Sequence, residues 1–312
     1  MNLEFNLVKF PILFPLIYAL FLYLFPSFET YLIFITILIL AETHFGATWP
    51  FFLNSANRSF IKENKIPLIS FPVIIATASL IGFIFVKPTF LLIFFAVNMY
   101  HVTRQSFGVC KLYTKEIKQI KFQEIFIYIF NIVFFLIGFF RFYFPIIESD
   151  VMILMNYITI ASFIILLFIY LFKFGISDSF YTFVTGLIIF YPICFVQNPV
   201  HAIIMGVTMH YTQYLYFTYN VCKMRNTESK VSEKVFFTNK IYNYLGIIII
   251  YSIIMSLLSL FGKYDEIYLR NLIIIPIIGQ MLHFYLDSQL WKFSEKHNRD
   301  NTLTHLKKLI LG

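Results

Sequence analysis

Runs of apolar residues separated by short polar stretches make up most of this chain. A bilayer core about 30 Å thick requires roughly 20 apolar residues in each spanning helix. Read on that basis, the pattern predicts about ten transmembrane helices. They cover residues 10–25, 31–53, 68–86, 89–110, 124–144, 152–172, 179–196, 200–222, 239–261 and 270–292. We therefore expect an all-α, polytopic transmembrane helix bundle.

The polar stretches complete the predicted organisation. Residues 1–292 are expected to form a single transmembrane domain, and residues 293–312 a charged cytoplasmic tail. The segment Lys223–Asn239 is predicted to be a loop. Within the tail, the apolar residues between Leu303 and Ile310 indicate a short interfacial helix.

Composition supports a membrane location. The chain is 59% hydrophobic and 13% charged, whereas soluble domains average about 45–50% apolar and about 25% charged residues. Its mean hydropathy is +0.78. This composition excludes an ordinary soluble protein. The formal net charge of +8 is interpreted as charge on cytoplasmic loops rather than as a nucleic-acid surface, so the expected partner is the lipid bilayer and not a nucleic acid.

The distribution of lysine and arginine predicts the orientation. With the N-terminus in the cytoplasm, twenty of the 24 basic residues fall on the cytoplasmic side of the ten helices. The other side receives Lys87, Arg141, Lys263 and Arg270. This asymmetry follows the positive-inside rule. It predicts that both termini are cytoplasmic. The location that we expect for this multi-pass protein is a bacterial inner membrane.

Four predicted helices each carry one histidine at a similar depth. Polar groups inside a bilayer are costly and are therefore functional candidates. Counted from the predicted outer helix ends, the four lie about 10–13 residues in, or roughly 15–20 Å at 1.5 Å per residue. They are His44, His101, His210 and His283. Four imidazoles at one depth predict convergence on a single metal ion.

The other three histidines do not fit that layer. His201 begins its predicted helix at the outer surface and is expected to lie away from the metal. His297 and His305 fall in the charged tail and are expected to be surface residues.

Polar residues close to the four histidines in sequence suit supporting roles. Positions three or four apart share a helix face, and a metal-bound imidazole usually donates its second N–H to a carboxylate, amide or carbonyl. Glu42 and Tyr214 are expected to position dioxygen or substrate. The alternative role for Asp287 is to neutralise the charge of Arg104. The side chains predicted to orient the imidazoles are Arg104, Gln105, Gln213 and Asp287.

Nitrogen ligands without thiolates suit iron, zinc or copper. The three cysteines are too few and too scattered for a thiolate site. A hydrophobic, redox-capable membrane site favours iron. Four histidines on four helices leave a haem open as well.

Four segments resemble motifs of the Brp/Blh-type β-carotene cleavage dioxygenases, which are integral membrane proteins with histidine motifs on separate helices. The His-Phe-Gly and His-x-x-x-Asp elements are the most similar. The chain departs from that family at Tyr214, where the family has the second histidine of a His-x-x-x-His pair. The resemblance implies histidines that bind a non-haem iron and a carotenoid substrate cleaved to retinal. The four segments are residues 43–47, 100–108, 209–214 and 282–287.

Two classes of function follow from these features. The first is a membrane-bound, iron-dependent oxygenase, specifically a dioxygenase-type oxidoreductase that acts on a long apolar substrate such as a carotenoid. The second is a proton- or ion-coupled transporter in which Glu42, Arg104, Asp287 and the histidines form a relay. Bound metal discriminates them, because the oxygenase requires it and the transporter does not.

Overall fold

The computed structural model describes residues 3–144, 149–228, 241–264 and 270–311. Nearly all of these residues are helical, and none of them forms a β-strand. The helices of the described residues are α1 Leu13–Leu24, α2 Glu29–Thr36, α3 Glu42–Phe52, α4 Arg58–Glu63, α5 Phe71–Phe85, α6 Lys87–Leu112, α7 Ile117–Gly138, α8 Ser149–Phe174, α9 Asp178–Ile188, α10 Pro199–Glu228, α11 Ile241–Tyr264, α12 Ile274–Leu290, α13 Lys296–Asn298 and α14 Thr304–Leu311.

Five helical stretches of the described chain are long and apolar enough to cross a membrane. They are Pro26–Phe52, Ile66–Phe85, Ile117–Tyr143, Asp150–Phe174 and Ile241–Gly262. Two shorter apolar stretches, Leu13–Leu24 and Asp178–Cys194, accompany them. The all-α class and the membrane character are thus confirmed, while the count of ten spans and the cytoplasmic termini stay predictions.

Three helices predicted to span the membrane, α6, α10 and α12, are not among those five. Each carries one of the four histidines together with other polar side chains. A helix that places polar groups against protein rather than lipid does not need to be apolar on every face. Their lower hydropathy therefore reflects the same residues that make them candidates for function.

Two predictions about polar segments change. The predicted loop Lys223–Asn239 begins as helix, because α10 continues to Glu228. The remainder of that loop, residues 229–239, lies outside the described residues. The short helix predicted in the tail is confirmed as α14.

The chain divides into two compact units. The first consists of Met1–Ile33 and Ala96–Gln213. At its centre the ring of Tyr170 stacks on Phe183, with ring centroids 4.7 Å apart. The N-terminal turn is tied into this unit, because the Gln213 side chain donates to the Val8 carbonyl at 2.7 Å.

The second unit consists of Phe34–Phe95 and Tyr214–Gly312. In it, the end of α2 is joined to α3 by a π-helical turn, Ile37–Ala41, so that α3 begins at Glu42, two residues before His44. Such π turns occur frequently at functional sites. Helix α11 packs closely against α3 at Gly46. A Cβ atom at this position would lie too close to the ring of Tyr251, so the packing requires glycine.

The tail packs against other residues of the second unit, so the expectation that its histidines are surface residues is wrong. His305 is only 6% exposed. The ring of His297 stacks on Phe60 with a 4.5 Å centroid distance, and its Nε2 lies 3.0 Å from Asn57 Oδ1. Arg225 donates to the Asn301 carbonyl at 2.9 Å. These contacts fix residues that composition alone assigned to solvent.

Candidate metal centre

The four histidines predicted to bind metal form one buried group. They lie on helices α3, α6, α10 and α12, and the nitrogen atoms that they offer as ligands lie within 4.8 Å of one another. Their side chains are between 0% and 7% exposed. They can hold a metal ion.

His101 and His210 form one pair within this group. Their rings are perpendicular, with centroids 5.4 Å apart. Next to them in sequence, Gln105 is half-buried but Arg104 is exposed. Because Arg104 is exposed, the structure gives no support to its predicted role of orienting an imidazole, and that role stays a prediction. An exposed Arg104 also gives no support to its predicted pairing with the buried Asp287.

Gln213 lies three residues after His210 and is buried. Its amide nitrogen donates a hydrogen bond to the Val8 carbonyl. The role that this side chain shows is thus to hold the N-terminal turn against α10. Among the described residues, no hydrogen bond from this amide to an imidazole supports its predicted orienting role.

His44 and His283 form the second pair, with ring centroids 4.4 Å apart. A buried hydrogen-bond network surrounds His283. Thr48 Oγ1 lies 2.5 Å from His283 Nδ1 and 2.9 Å from the Tyr214 hydroxyl. The Tyr214 hydroxyl in turn donates to Asp287 Oδ1 at 2.7 Å. Asp287 is therefore linked to His283 through the hydroxyl groups of Tyr214 and Thr48. In addition, its Oδ2 lies 3.7 Å from His283 Nε2.

Counting protons gives one direction for this network, which uses the short contact of Thr48 with Tyr214 rather than its 3.5 Å contact with Asp287 Oδ1. An ionised carboxylate only accepts hydrogen bonds, and each hydroxyl has one hydrogen to donate. Since the Tyr214 hydroxyl donates to Asp287, its oxygen accepts from Thr48. Thr48 has then used its hydrogen, so it accepts from the Nδ1–H of His283. In this arrangement the lone pair of His283 is on Nε2, the nitrogen that also lies 3.7 Å from Asp287 Oδ2.

Tyr214 thus links Asp287 to Thr48, while its predicted role in positioning dioxygen or substrate stays a prediction. Its ring also lies edge-on to His44, with centroids 4.6 Å apart. Glu42 is 1% exposed, and its Oε1 is 3.4 Å from the Gln280 amide nitrogen. Its other carboxylate oxygen, Oε2, has no hydrogen-bond partner among the described residues. Glu42 therefore retains an acceptor inside the protein.

Apolar side chains enclose the His44–His283 pair. The ring centroid of Phe45 lies 5.1 Å from that of His283, and the Phe284 centroid lies 5.6 Å from it. Trp291 stacks face to face on Phe51, with planes 8° apart. Such walls keep water from the imidazoles and strengthen electrostatic interactions among them.

His201 belongs to a different cluster, as expected. Its Nδ1 lies 2.7 Å from the Tyr18 hydroxyl, and its Nε2 lies 3.4 Å from a Glu29 carboxylate oxygen. It is not a member of the four-histidine group.

Sequence reasoning missed Thr48, although a signal for it was present. Thr48 follows His44 by four residues on α3, the same spacing that predicted a role for Asp287 after His283. In the structure the hydroxyl contacts His283 on another helix instead of His44 on its own helix.

Comparison with protein family models, with curated proteins and with solved structures finds no match for this chain.

Proposed function

We propose that this protein is an integral membrane oxygenase with a non-haem iron held by His44, His101, His210 and His283. Its substrate would be a long apolar molecule such as a carotenoid, and its location the bacterial inner membrane. The observation that carries the proposal is the buried group of four nitrogen ligands within 4.8 Å.

The donor set fits a single metal ion. Metal–imidazole bonds are about 2.0–2.1 Å long, so opposite ligands of one ion lie about 4 Å apart. The 4.8 Å limit of the group requires side-chain movements of less than about 1 Å to reach that separation. Imidazole nitrogens without thiolates suit iron, zinc and copper. A bound iron would supply the redox chemistry that oxygenation of an apolar substrate requires.

The surrounding side chains have separate tasks in this proposal. Asp287, Tyr214 and Thr48 hold His283 in one tautomer and one orientation. Phe45 and Phe284 exclude water from the reaction. The second carboxylate oxygen of Glu42, which has no hydrogen-bond partner among the described residues, supports a role for Glu42 in positioning dioxygen or substrate. A histidine-motif resemblance to carotenoid-cleaving enzymes supports the choice of substrate class.

Two alternatives have weaker support. A carrier with a Glu42–Arg104–Asp287 relay needs the Arg104 cation inside the protein, and Arg104 is exposed. A haem held by paired histidines needs two of them on opposite faces of a wide, flat macrocycle. A group in which every ligand nitrogen lies within 4.8 Å of the others does not leave that space.

The test compares metal content across three variants of the detergent-purified chain. His283→Ala should lose most of the metal, because it removes one of four ligands. Asp287→Asn should be milder, with metal affinity about 10–100-fold lower, since it acts on a hydrogen-bonded partner of a ligand. His201→Ala is the control and should retain wild-type metal. Wild-type protein free of metal after expression with added iron would refute the proposal.

Activity requires a second assay. Purified protein reconstituted with Fe²⁺ should consume dioxygen when β-carotene is added, and His283→Ala should not. Metal binding with no oxygen consumption for any carotenoid would retain the metal centre but refute the oxygenase.

A further inference from the structure

One side chain on α11 fills the space between the two helices that carry His44 and His283. Gly46 lies two residues after His44, and Gly279 four residues before His283. A Cβ atom on Gly46 would lie 2.9 Å from Cδ1 of Tyr251, and a Cβ atom on Gly279 would overlap the Tyr251 hydroxyl. Tyr251 therefore reaches the backbone of both helices at positions where only glycine leaves room.

The two contacts involve opposite ends of the Tyr251 side chain. At Gly46, the added atom would also lie 3.2 Å from both Cβ and Cγ of Tyr251, which are close to the α11 backbone and cannot swing aside. At Gly279, the next Tyr251 atom is Cζ at 3.6 Å, an ordinary van der Waals distance. The near end of the ring is thus fixed beside α3, and the hydroxyl end lies against α12.

Glycines commonly permit such close approach between helices in membranes. Here both glycines lie within about one turn of a histidine of the candidate centre. The rings of His44 and His283 are 4.4 Å apart, so the separation between α3 and α12 determines how far apart their nitrogens lie. A rigid ring inserted between these helices acts on that separation directly.

We infer that Tyr251 is a positioning residue of the metal centre, which sets the separation of His44 and His283 through its contacts with Gly46 and Gly279. This inference rests on the proposed metal function. It assigns to Tyr251 no contact with metal or substrate. Its effect passes through the two helix backbones.

The overlap predicts that Gly279→Ala weakens metal binding and that the added substitution Tyr251→Phe restores it. In Gly279→Ala, the new methyl group and the Tyr251 hydroxyl must separate, which requires a displacement on the order of 1 Å. Metal sites require ligand distances within about 0.2 Å of their usual values. Removing the hydroxyl with Tyr251→Phe leaves Cζ at 3.6 Å from the added carbon. The double variant therefore relieves the overlap without restoring glycine.

The experiment measures Co²⁺ binding to the full-length, detergent-purified chain by chelator competition and visible absorption. Gly279→Ala should bind Co²⁺ about 10–100-fold more weakly and with an altered spectrum, on the scale of losses caused by misplaced supporting groups. The double variant Gly279→Ala/Tyr251→Phe should return to within about threefold of Tyr251→Phe. Gly246→Ala is the matched control on α11, since a Cβ there meets nothing within 4 Å.

The outcomes separate this inference from the proposed function. Wild-type protein that binds no Co²⁺ refutes the metal centre and the positioning role together. Wild-type protein that binds Co²⁺, with Gly279→Ala binding it equally well, refutes only the positioning role. A lowered thermal unfolding midpoint in Gly279→Ala with unchanged Co²⁺ affinity and spectrum would show that Tyr251 is merely structural.

Discussion

Replacement of Thr48 tests the hydrogen-bond network around His283. Valine has a similar shape but lacks the hydroxyl, so Thr48→Val leaves the Nδ1–H of His283 and the Tyr214 oxygen without their partner. Both groups are buried. A buried polar group left unsatisfied costs about 1–3 kcal/mol. We expect metal affinity to fall about 10–100-fold.

The expected loss of affinity converts into a free energy. Loss of a partner behind a metal ligand typically costs about 10–100-fold in affinity, which corresponds to about 1.4–2.8 kcal/mol. The unsatisfied buried groups additionally lower folding stability, in the metal-free and the metal-bound chain alike. Thr48→Ser keeps the hydroxyl and loses one methyl group, so it should cost about 1 kcal/mol of stability and leave metal affinity within about threefold of wild type.

The assay is competition for Fe²⁺ or Co²⁺ between the purified protein and a soluble chelator, followed to equilibrium. Thr43→Val is the matched control on the same helix. Its hydroxyl donates to carbonyls just before it in its own chain, with a distance of 2.6 Å to the Ile39 carbonyl. Equal metal affinities in Thr48→Val and Thr43→Val would refute the proposed role of the network.

Two further predictions concern topology and the tail. A reporter fused after Lys121 or at the C-terminus should report a cytoplasmic location, and one inserted near Glu148 an external one; an external C-terminus would contradict the ten-helix assignment. Burial lowers the pKa of His297 below its usual 6.5, and the charge of Arg225 acts in the same direction. The docked tail therefore favours neutral His297, so docking should be strongest above about pH 6.5 and weaken as pH falls below it. Protease cleavage within residues 293–311 should increase accordingly, whereas His297→Phe should remove this pH dependence and preserve the stacking on Phe60.

The sequence was sufficient to predict which histidines come together. Their equal depth in four helices follows from helix geometry and hydropathy, and neither requires knowledge of packing. The spacing of four residues likewise identified Asp287, which lies beside His283. These signals succeed because they depend on distance along a helix axis.

Helix rotation could not be predicted in the same way. Arg104 follows His101 by three residues, yet His101 is buried and Arg104 is exposed. Two residues on the same broad face of a helix can differ in burial when one of them lies at the edge of that face. Their spacing along the chain does not show where the edge lies. Contacts across helices were equally inaccessible. Thr48 serves an imidazole on α12, and the space that Tyr251 occupies depends on two glycines far from it in the chain.

The depth of burial of the four histidines also governs how fast a metal could enter or leave. With the four histidines between 0% and 7% exposed, the described residues cover nearly all of their surface. Exchange through a local opening of the helices would make the rate of that opening set the lifetime of the loaded and empty forms. A bound ion would be retained long after free metal had been removed. The metal acquired while the helices assemble would thus determine which ion the mature protein carries.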